Sequence, residues 1–405
     1  MRDIFRDRVF LRLWCGTFVS GIATWALPFL LGLLLIEDKL SPGALGVSLA
    51  ARTIGFLAVL PFSGVLADLW SPVKVIRYAG LIAAVATVGF AYTLVVGAPS
   101  FTLLLTALFI GVGQGACRPA YQSLIATNIA PEVRKQAHAA ITLAQRIVIV
   151  VAPAAIAVMS RSVDTTLLVG GLAGLWLIVM WSPNTIRQET GDATLRTAVS
   201  TTGPGLIAGW KEAHRHRWFM AGLALLVVVI MLGYSVTGVL LPVVSAEVFG
   251  SDWLFTVALI GYAGGAIFGA LIIGHWTPPA QGWWALAGLA GYGLVAAALA
   301  ATLTGIHWAV VVIAYVIAGL GIEFFNVPWF TCIQREVPPT AVARVSSIDF
   351  IVSYGLAPVG LALIAPAAQY AGMIPVLLFT AIACVATGAA VMCVPGTRDF
   401  HDPKT

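Results

Sequence analysis

Apolar runs dominate this chain and leave it few ways to fold. Twelve of them are long enough to cross a bilayer as helices, which takes roughly 20 residues each. They cover residues 9–36, 42–68, 73–96, 101–127, 136–159, 164–184, 217–246, 253–275, 280–304, 306–331, 340–365 and 370–394. In lipid every backbone N–H and C=O must be bonded within the protein, so a spanning segment is a helix or part of a closed barrel. Strand-length alternation of polar and apolar residues is absent, which argues against a barrel. Only 10% of the 405 residues are charged, against about a quarter in a soluble domain. The expectation is an all-α membrane protein with 12 transmembrane helices.

Turn residues punctuate the runs: Leu40-Ser41-Pro42-Gly43, Ser71-Pro72, Gly97-Ala98-Pro99-Ser100, Ala130-Pro131, Ser182-Pro183-Asn184, Thr277-Pro278-Pro279 and Pro338-Pro339. One long polar segment, 185–216, separates a six-helix half at 1–184 from a second at 217–395, leaving a tail at 396–405. The charged start MRDIFRDRVF leads into an apolar run much longer than a signal-peptide core, so it reads as the first spanning helix. The five cysteines lie in or at the ends of apolar runs without metal-ligand spacing and read as small packing residues.

Lys and Arg in alternate loops set the orientation. One side receives 17 of them, including Arg2, Lys74, Arg77, Arg134, Arg187, Arg217 and Arg335; the other receives only Lys39 and Arg161. Both termini and the central segment are therefore expected in the cytoplasm. The net charge of +5 follows from this asymmetry, and no nucleic-acid partner is expected. The halves also echo each other. A shift of 206 residues sets Trp70 on Trp276 and Pro72 on Pro278, with Gly274 at the place of Asp68. A shift of 209 sets Pro119 on Pro328 and Gln114 on Glu323. Parallel six-helix repeats describe one large class of secondary transporter.

With these features the chain resembles the major facilitator superfamily over essentially its whole length. That superfamily often carries Gly-x-x-x-Asp-Arg/Lys-x-Gly-Arg-Arg/Lys between helices 2 and 3. Gly64 and Asp68 match it; Leu69 replaces the basic residue, Ser71 the second glycine and Pro72-Val73 the basic pair, while Lys74 and Arg77 bring positive charge slightly later. In helix 4 the usual Arg-x-x-Gln-Gly is represented by Gln114-Gly115, with Gly111 where the arginine belongs and Arg118 further along. Helix 5 keeps the proline, Pro153, of a Gly-Pro-x-x-Gly-Gly motif frequent in proton-coupled drug exporters. The texture, including FSGVLAD and the Arg344-Val-Ser-Ser start of helix 11, is most similar to macrolide and siderophore exporters. The resemblance implies two six-helix bundles working by alternating access. It also implies a conformational gate of Gly64, Asp68, Lys74 and Arg344, with Asp68 facing the start of helix 11 near Arg344 to Ser347.

An ionisable group at bilayer depth is costly and marks a functional candidate. Five are expected there: Arg52, Arg118, Arg146, Glu323 and Asp349. An acid among apolar groups can take up and release a proton, so Glu323 reads as a coupling carrier or equally as a structural acid. Asp349, near the cytoplasmic end of helix 11, is a second coupling candidate or a cap. Arg118 and Arg146 read as anion ligands, because guanidinium forks suit carboxylate and phosphate, or as charge balance for the acids. Arg52, Gln114, Tyr121, Phe324 and Trp329 complete the candidate substrate cavity. Signatures of hydrolases, metalloproteases and P-loop ATPases are missing, so no enzymatic activity or cofactor is expected. The partners expected are a small-molecule substrate, protons as coupling ion and the lipid bilayer, for a monomer in a bacterial-type inner (plasma) membrane. The leading function is proton-driven export of a small amphipathic molecule. The rivals are uptake of a small organic anion and a transport-incompetent sensor or scaffold on the same fold.

Overall fold

A computed structural model describes residues 4–97, 99–129, 131–183, 210–276 and 278–401. The chain divides into two compact units, Met1–Thr202 and Gly203–Thr405. Unit 1 holds α1 (Arg8–Ile36), α2 (Pro42–Trp70), α3 (Pro72–Val96), α4 (Ser100–Asn128), α5 (Pro131–Met159) and α6 (Thr165–Trp181). Unit 2 holds α7 (Arg217–Phe249), α8 (Trp253–His275), α9 (Gln281–Leu303), α10 (Ala309–Glu336), α11 (Pro339–Gly355, continuing as Ala357–Ala371) and α12 (Met373–Met392). All twelve apolar runs are thus helical. Among the described residues, ten of the helices are long and apolar enough to span a membrane, and shorter apolar stretches at Ile147–Met159 and Thr165–Trp181 account for the other two.

Local chemistry sets the helix ends. Asp7 caps α1 by accepting the backbone N–H groups of Val9 and Phe10, donors that otherwise lack a partner in a first turn. Gly97 and Gly250 end α3 and α7 in the left-handed conformation that suits glycine. Ser71 is different. It is fully buried and holds φ at 89°, a region nearly reserved for glycine. Its hydroxyl accepts the Lys74 N–H at 3.3 Å, and Pro72 opens α3 with no N–H to satisfy. Ser71, which stands where the resemblance would place a glycine, takes this positive φ itself and caps α3 with its hydroxyl.

Packing is closest between α2 and α4 in unit 1 and between α8 and α10 in unit 2. Both pairs use the same device. A β-carbon built on Gly55 or Gly111 would collide with the carbonyl oxygens of Leu108 and Arg52; one on Gly265 or Gly319 would collide with those of Val316 and Tyr262. Gly55 thus corresponds to Gly265, Gly111 to Gly319, and Arg52 to Tyr262. This register corrects the two sequence shifts. Gly64, and not Asp68, falls on Gly274; Gln114 falls on Ile322, and not on Glu323. Small apolar residues are so frequent here that several ungapped shifts match, whereas close backbone approach at glycine fixes one for each pair of helices.

At the less basic ends of α1 and α6, charges tie unit 1 together. Lys39 Nζ lies 2.5 Å from Asp164 Oδ2 and 2.9 Å from Glu37 Oε2, and Thr165 Oγ1 donates to Glu37. Asp164 also caps α6 by accepting the Thr166 N–H at 2.8 Å. The Lys39 hydrogen bond holds the Asp164 carboxyl down from 3.8 to about 2. Partial burial lowers the Lys39 pKa, but the two carboxylates outweigh it and raise it above 10.5. The stabilisation is therefore complete between the two unfolded values, is lost as pH falls through about 2, and is lost as pH rises through the raised Lys39 value. Asp164→Asn is expected to lower stability by about 0.2–1 kcal/mol near neutrality, the range for exposed pairs. Thermal unfolding against pH, with wild type and variant converging at acid pH, checks this.

In unit 2 the segment assigned to the tail is seated on the helices as far as His401. Arg398 O accepts the Gly282 N–H at 2.8 Å, and the Arg335 guanidinium donates to the carbonyls of Asp399 and Phe400. His401 Nδ1 lies 2.7 Å from Glu336. Burial pushes the Glu336 carboxyl up, but His401 and Arg335 outweigh it and hold it low. Phe400 is 0% exposed, its ring 5.4 Å from that of Trp218 and 5.5 Å from that of Trp329. Phe400→Ala is expected to cost about 3 kcal/mol, the lower end for a buried phenylalanine. It should also red-shift tryptophan emission as water reaches Trp218 and Trp329; unchanged emission would show that the ring does not seal them.

Candidate functional site

Among the described residues, each unit contains a polar cluster joining several of its spanning helices. In unit 1 the cluster joins α1, α2 and α4. Arg52 Nε donates to Gln114 Oε1 at 2.8 Å, and its terminal nitrogen reaches the Thr24 carbonyl at 3.5 Å. Gln114 is 4% exposed, and its Nε2 has no partner among the described residues. The glycine register explains how Arg52 comes to this place. Gly111, where the superfamily often has arginine, lies directly against the Arg52 backbone. No side chain fits at Gly111. A guanidinium reaches the Gln114 amide from α2 instead.

In unit 2 the cluster joins α7, α8, α9 and α10. Tyr315 OH donates to Thr237 Oγ1 at 3.1 Å, and Thr237 Oγ1 lies 3.0 Å from Tyr292 OH. The Tyr262 ring meets Tyr292 edge-on, centroids 6.1 Å apart. Tyr262 also lies within electrostatic reach of Glu323, which is 3% exposed and one helical turn beyond the Gly319 contact with the Tyr262 carbonyl. Thr237 sits where α7 is wound as a π-helix, Val229–Tyr234 and Val236–Leu240. Such wide turns recur at functional positions in other proteins. Gly233 receives the Tyr292 ring and Gly360 the Met231 carbonyl, so small residues accommodate the widened helix.

The remaining candidates sit apart from these clusters. The Asp349 carboxylate, 4% exposed, accepts the Trp329 indole N–H at 2.9 Å. Trp329 is enclosed by unit 2, its ring stacked 5.0 Å from Phe219 and 5.0 Å from Phe325. That pair ties α10 to α11. Phe324 meets Trp276 edge-on at 6.1 Å. Tyr121 is packed against Gly16 of α1, its hydroxyl 2.7 Å from Ser182 Oγ. Tyr121 and Trp329 thus hold the helices of their own units together. Lys74 is exposed at the start of α3. The side chains of Arg118, Arg146, Gly64, Asp68 and Arg344 lie outside the described residues.

The sequence reading did not single out Thr237, Tyr262, Tyr292 or Tyr315. A usable signal was present: α8, α9 and α10 each contain one tyrosine, and a phenol at bilayer depth needs a hydrogen-bond partner.

The fold and its repeated helix pairing define a multi-span transporter built from two related halves, and sequence comparison agrees. Residues 13–361 match the profile of the Major Facilitator Superfamily, and the chain belongs to it. Its members are transporters rather than enzymes. No curated protein sequence matches the chain. Solved structures similar to it include the nucleoside transporter NupG, at 16% identity and TM-score 0.73, over 95% of this chain and 99% of that one. The peptide transporter POT in complex with sulfate matches at 13% identity and TM-score 0.73, over 98% of this chain and 96% of that one. A bacterial homolog of the human lysosomal transporter Spinster, inward-facing and unoccupied, matches at 17% identity and TM-score 0.61, over 98% of this chain and 96% of that one. At these identities the likeness is one of fold.

Proposed function

We propose that this secondary transporter exports a small amphipathic molecule from the cytoplasm in exchange for protons, working by alternating access as a monomer in a bacterial-type inner membrane. The observation that carries the reading is Glu323, a carboxyl buried on α10 within electrostatic reach of Tyr262, whose ring meets Tyr292 of a tyrosine–threonine cluster joining α7, α9 and α10. A carboxyl so placed can take up and release a proton. Asp349 is a second coupling acid in this reading, acting where Trp329 joins α10 to α11. Gly64, Asp68, Lys74 and Arg344 form the gate between states, and Arg118 and Arg146 belong with Arg52 and Gln114 to the substrate side. The exporter-like texture of FSGVLAD and of the Arg344-Val-Ser-Ser segment supports the outward direction.

The test is reconstitution into liposomes with an imposed pH gradient and a panel of lipophilic dyes and siderophore-like chelators. Export by exchange predicts accumulation that follows the pH gradient and collapses with a protonophore. Accumulation indifferent to the gradient would remove the proton from the mechanism. No substrate-dependent flux under any gradient would favour the scaffold reading.

A further inference from the structure

The segment after α12 delivers one buried ring to unit 2, and a glycine contact, backbone hydrogen bonds and an ion pair hold it there. Gly282 on α9 is the seat. A β-carbon at that position would collide with the Thr397 carbonyl and lie 3.0 Å from both Phe400 N and Phe400 Cδ1. The Gly282 N–H donates to Arg398 O, Arg335 donates to the carbonyls of Asp399 and Phe400, and His401 lies against Glu336. Phe400 itself holds φ at 48°, a left-handed conformation that bulky residues rarely adopt. Such a conformation persists only where the surroundings over-determine it, and it clusters at functional positions.

What the ring touches is Trp329. Phe219 and Phe325 lie nearly parallel to the indole, at 15° and 25°, while Trp218 and Phe400 stand across it at 80° and 79°. Parallel rings fix the tilt of an indole but permit sliding, which upright rings resist. Three of the four belong to α7 and α10, so the segment after α12 supplies the last wall of the cage. The indole carries one polar atom, and it is a donor only. That N–H meets Asp349 Oδ1 on α11 at 2.9 Å, and both partners are buried. We propose that Phe400 is a positioning residue: through the cage it keeps the Trp329 indole N–H on Asp349, and so it governs proton exchange at that carboxyl. This rests on the reading of Asp349 as a coupling acid and adds to it a part of the chain which that reading does not use.

Heteronuclear NMR of the purified protein, isotope-labelled at tryptophan, reads the contact without substrate or gradient. The Trp329 indole resonance is the one lost in Trp329→Phe. In wild type it is expected to shift with pH as Asp349 takes up and releases a proton, and Asp349→Asn should abolish that shift. This control is needed because Arg335, Glu336 and His401 at the seat, and Glu212 and His216 beside Trp218, also carry or gain charge near the cage. Phe400→Ala should move the resonance to that of an unbonded indole and remove its pH dependence, whereas Phe400→Leu, which refills the seat, should restore both. Gly282→Ala leaves every ring of the cage in place and displaces the segment, so it should act as Phe400→Ala does, and it serves where that variant is too unstable to purify. Arg398→Gln alters an exposed side chain whose residue anchors the segment through its carbonyl, and should behave as wild type. The proposal is overturned if the resonance keeps its wild-type position and pH dependence in Phe400→Ala or Gly282→Ala, if it does not respond to pH in wild type, or if its response survives Asp349→Asn. A titrating Trp329 alongside transport indifferent to a pH gradient would keep the positioning role and remove Asp349 from coupling. A silent Trp329 alongside pH-driven accumulation would do the reverse, so the two failures are distinguishable.

Discussion

Glu323→Gln is expected to abolish concentrative transport while leaving the protein folded. Glutamine matches glutamate in size and still donates and accepts hydrogen bonds, so the packing around this 3% exposed position is retained. It cannot take up or release a proton. In liposomes with an imposed pH gradient, wild type should accumulate substrate, whereas the variant should stop at equal concentrations inside and outside. Exchange of labelled for unlabelled substrate should persist, because binding and the conformational cycle need no net proton movement. A variant that concentrates substrate as well as wild type removes Glu323 from coupling. A variant that loses exchange as well as accumulation would reassign Glu323 to holding α10 against α8, through the cluster that includes Tyr262.

The second large effect is mechanical. Gly111→Ala and Gly319→Ala each set a β-carbon against a backbone carbonyl, that of Arg52 in unit 1 and that of Tyr262 in unit 2. Backbone cannot rotate aside as a side chain does, so the paired helices must separate. Overpacking of this kind costs about 1–3 kcal/mol. The matched control is Gly264→Ala on α8, where an added β-carbon meets nothing within 4 Å. There alanine should be neutral or slightly stabilising, because it is the better helix former. Thermal unfolding of the purified variants separates the cases. Equal melting temperatures for Gly319→Ala and Gly264→Ala would show that the α8–α10 contact is looser than described.

Helix content and the succession of spanning segments were legible in the sequence because the bilayer enforces them. Twelve apolar runs, turn residues between them and a one-sided distribution of lysine and arginine follow from the energetics of burying backbone and charge in lipid. Those rules act on each segment separately, so a linear reading recovers them. They also marked Arg52, Glu323 and Asp349 as deep charges. What they could not supply was partners. Asp349 meets an indole N–H rather than a guanidinium, and Arg52 meets an amide on the neighbouring helix. Tyr121 and Trp329, read as cavity aromatics, are held inside their own units.

Sequence by itself therefore determined the class of molecule, its spans and its superfamily. Only the tertiary structure decided the register of the repeat, the seat of Phe400 and the assembly of Thr237, Tyr262, Tyr292 and Tyr315. The physical reason is the same in each case. Apolar segments rich in alanine, glycine and leucine are nearly interchangeable in a bilayer, so hydropathy cannot distinguish one pairing from another. The distinction comes from where a glycine lets two backbones touch, and from which polar atom then lies within three ångströms of which other.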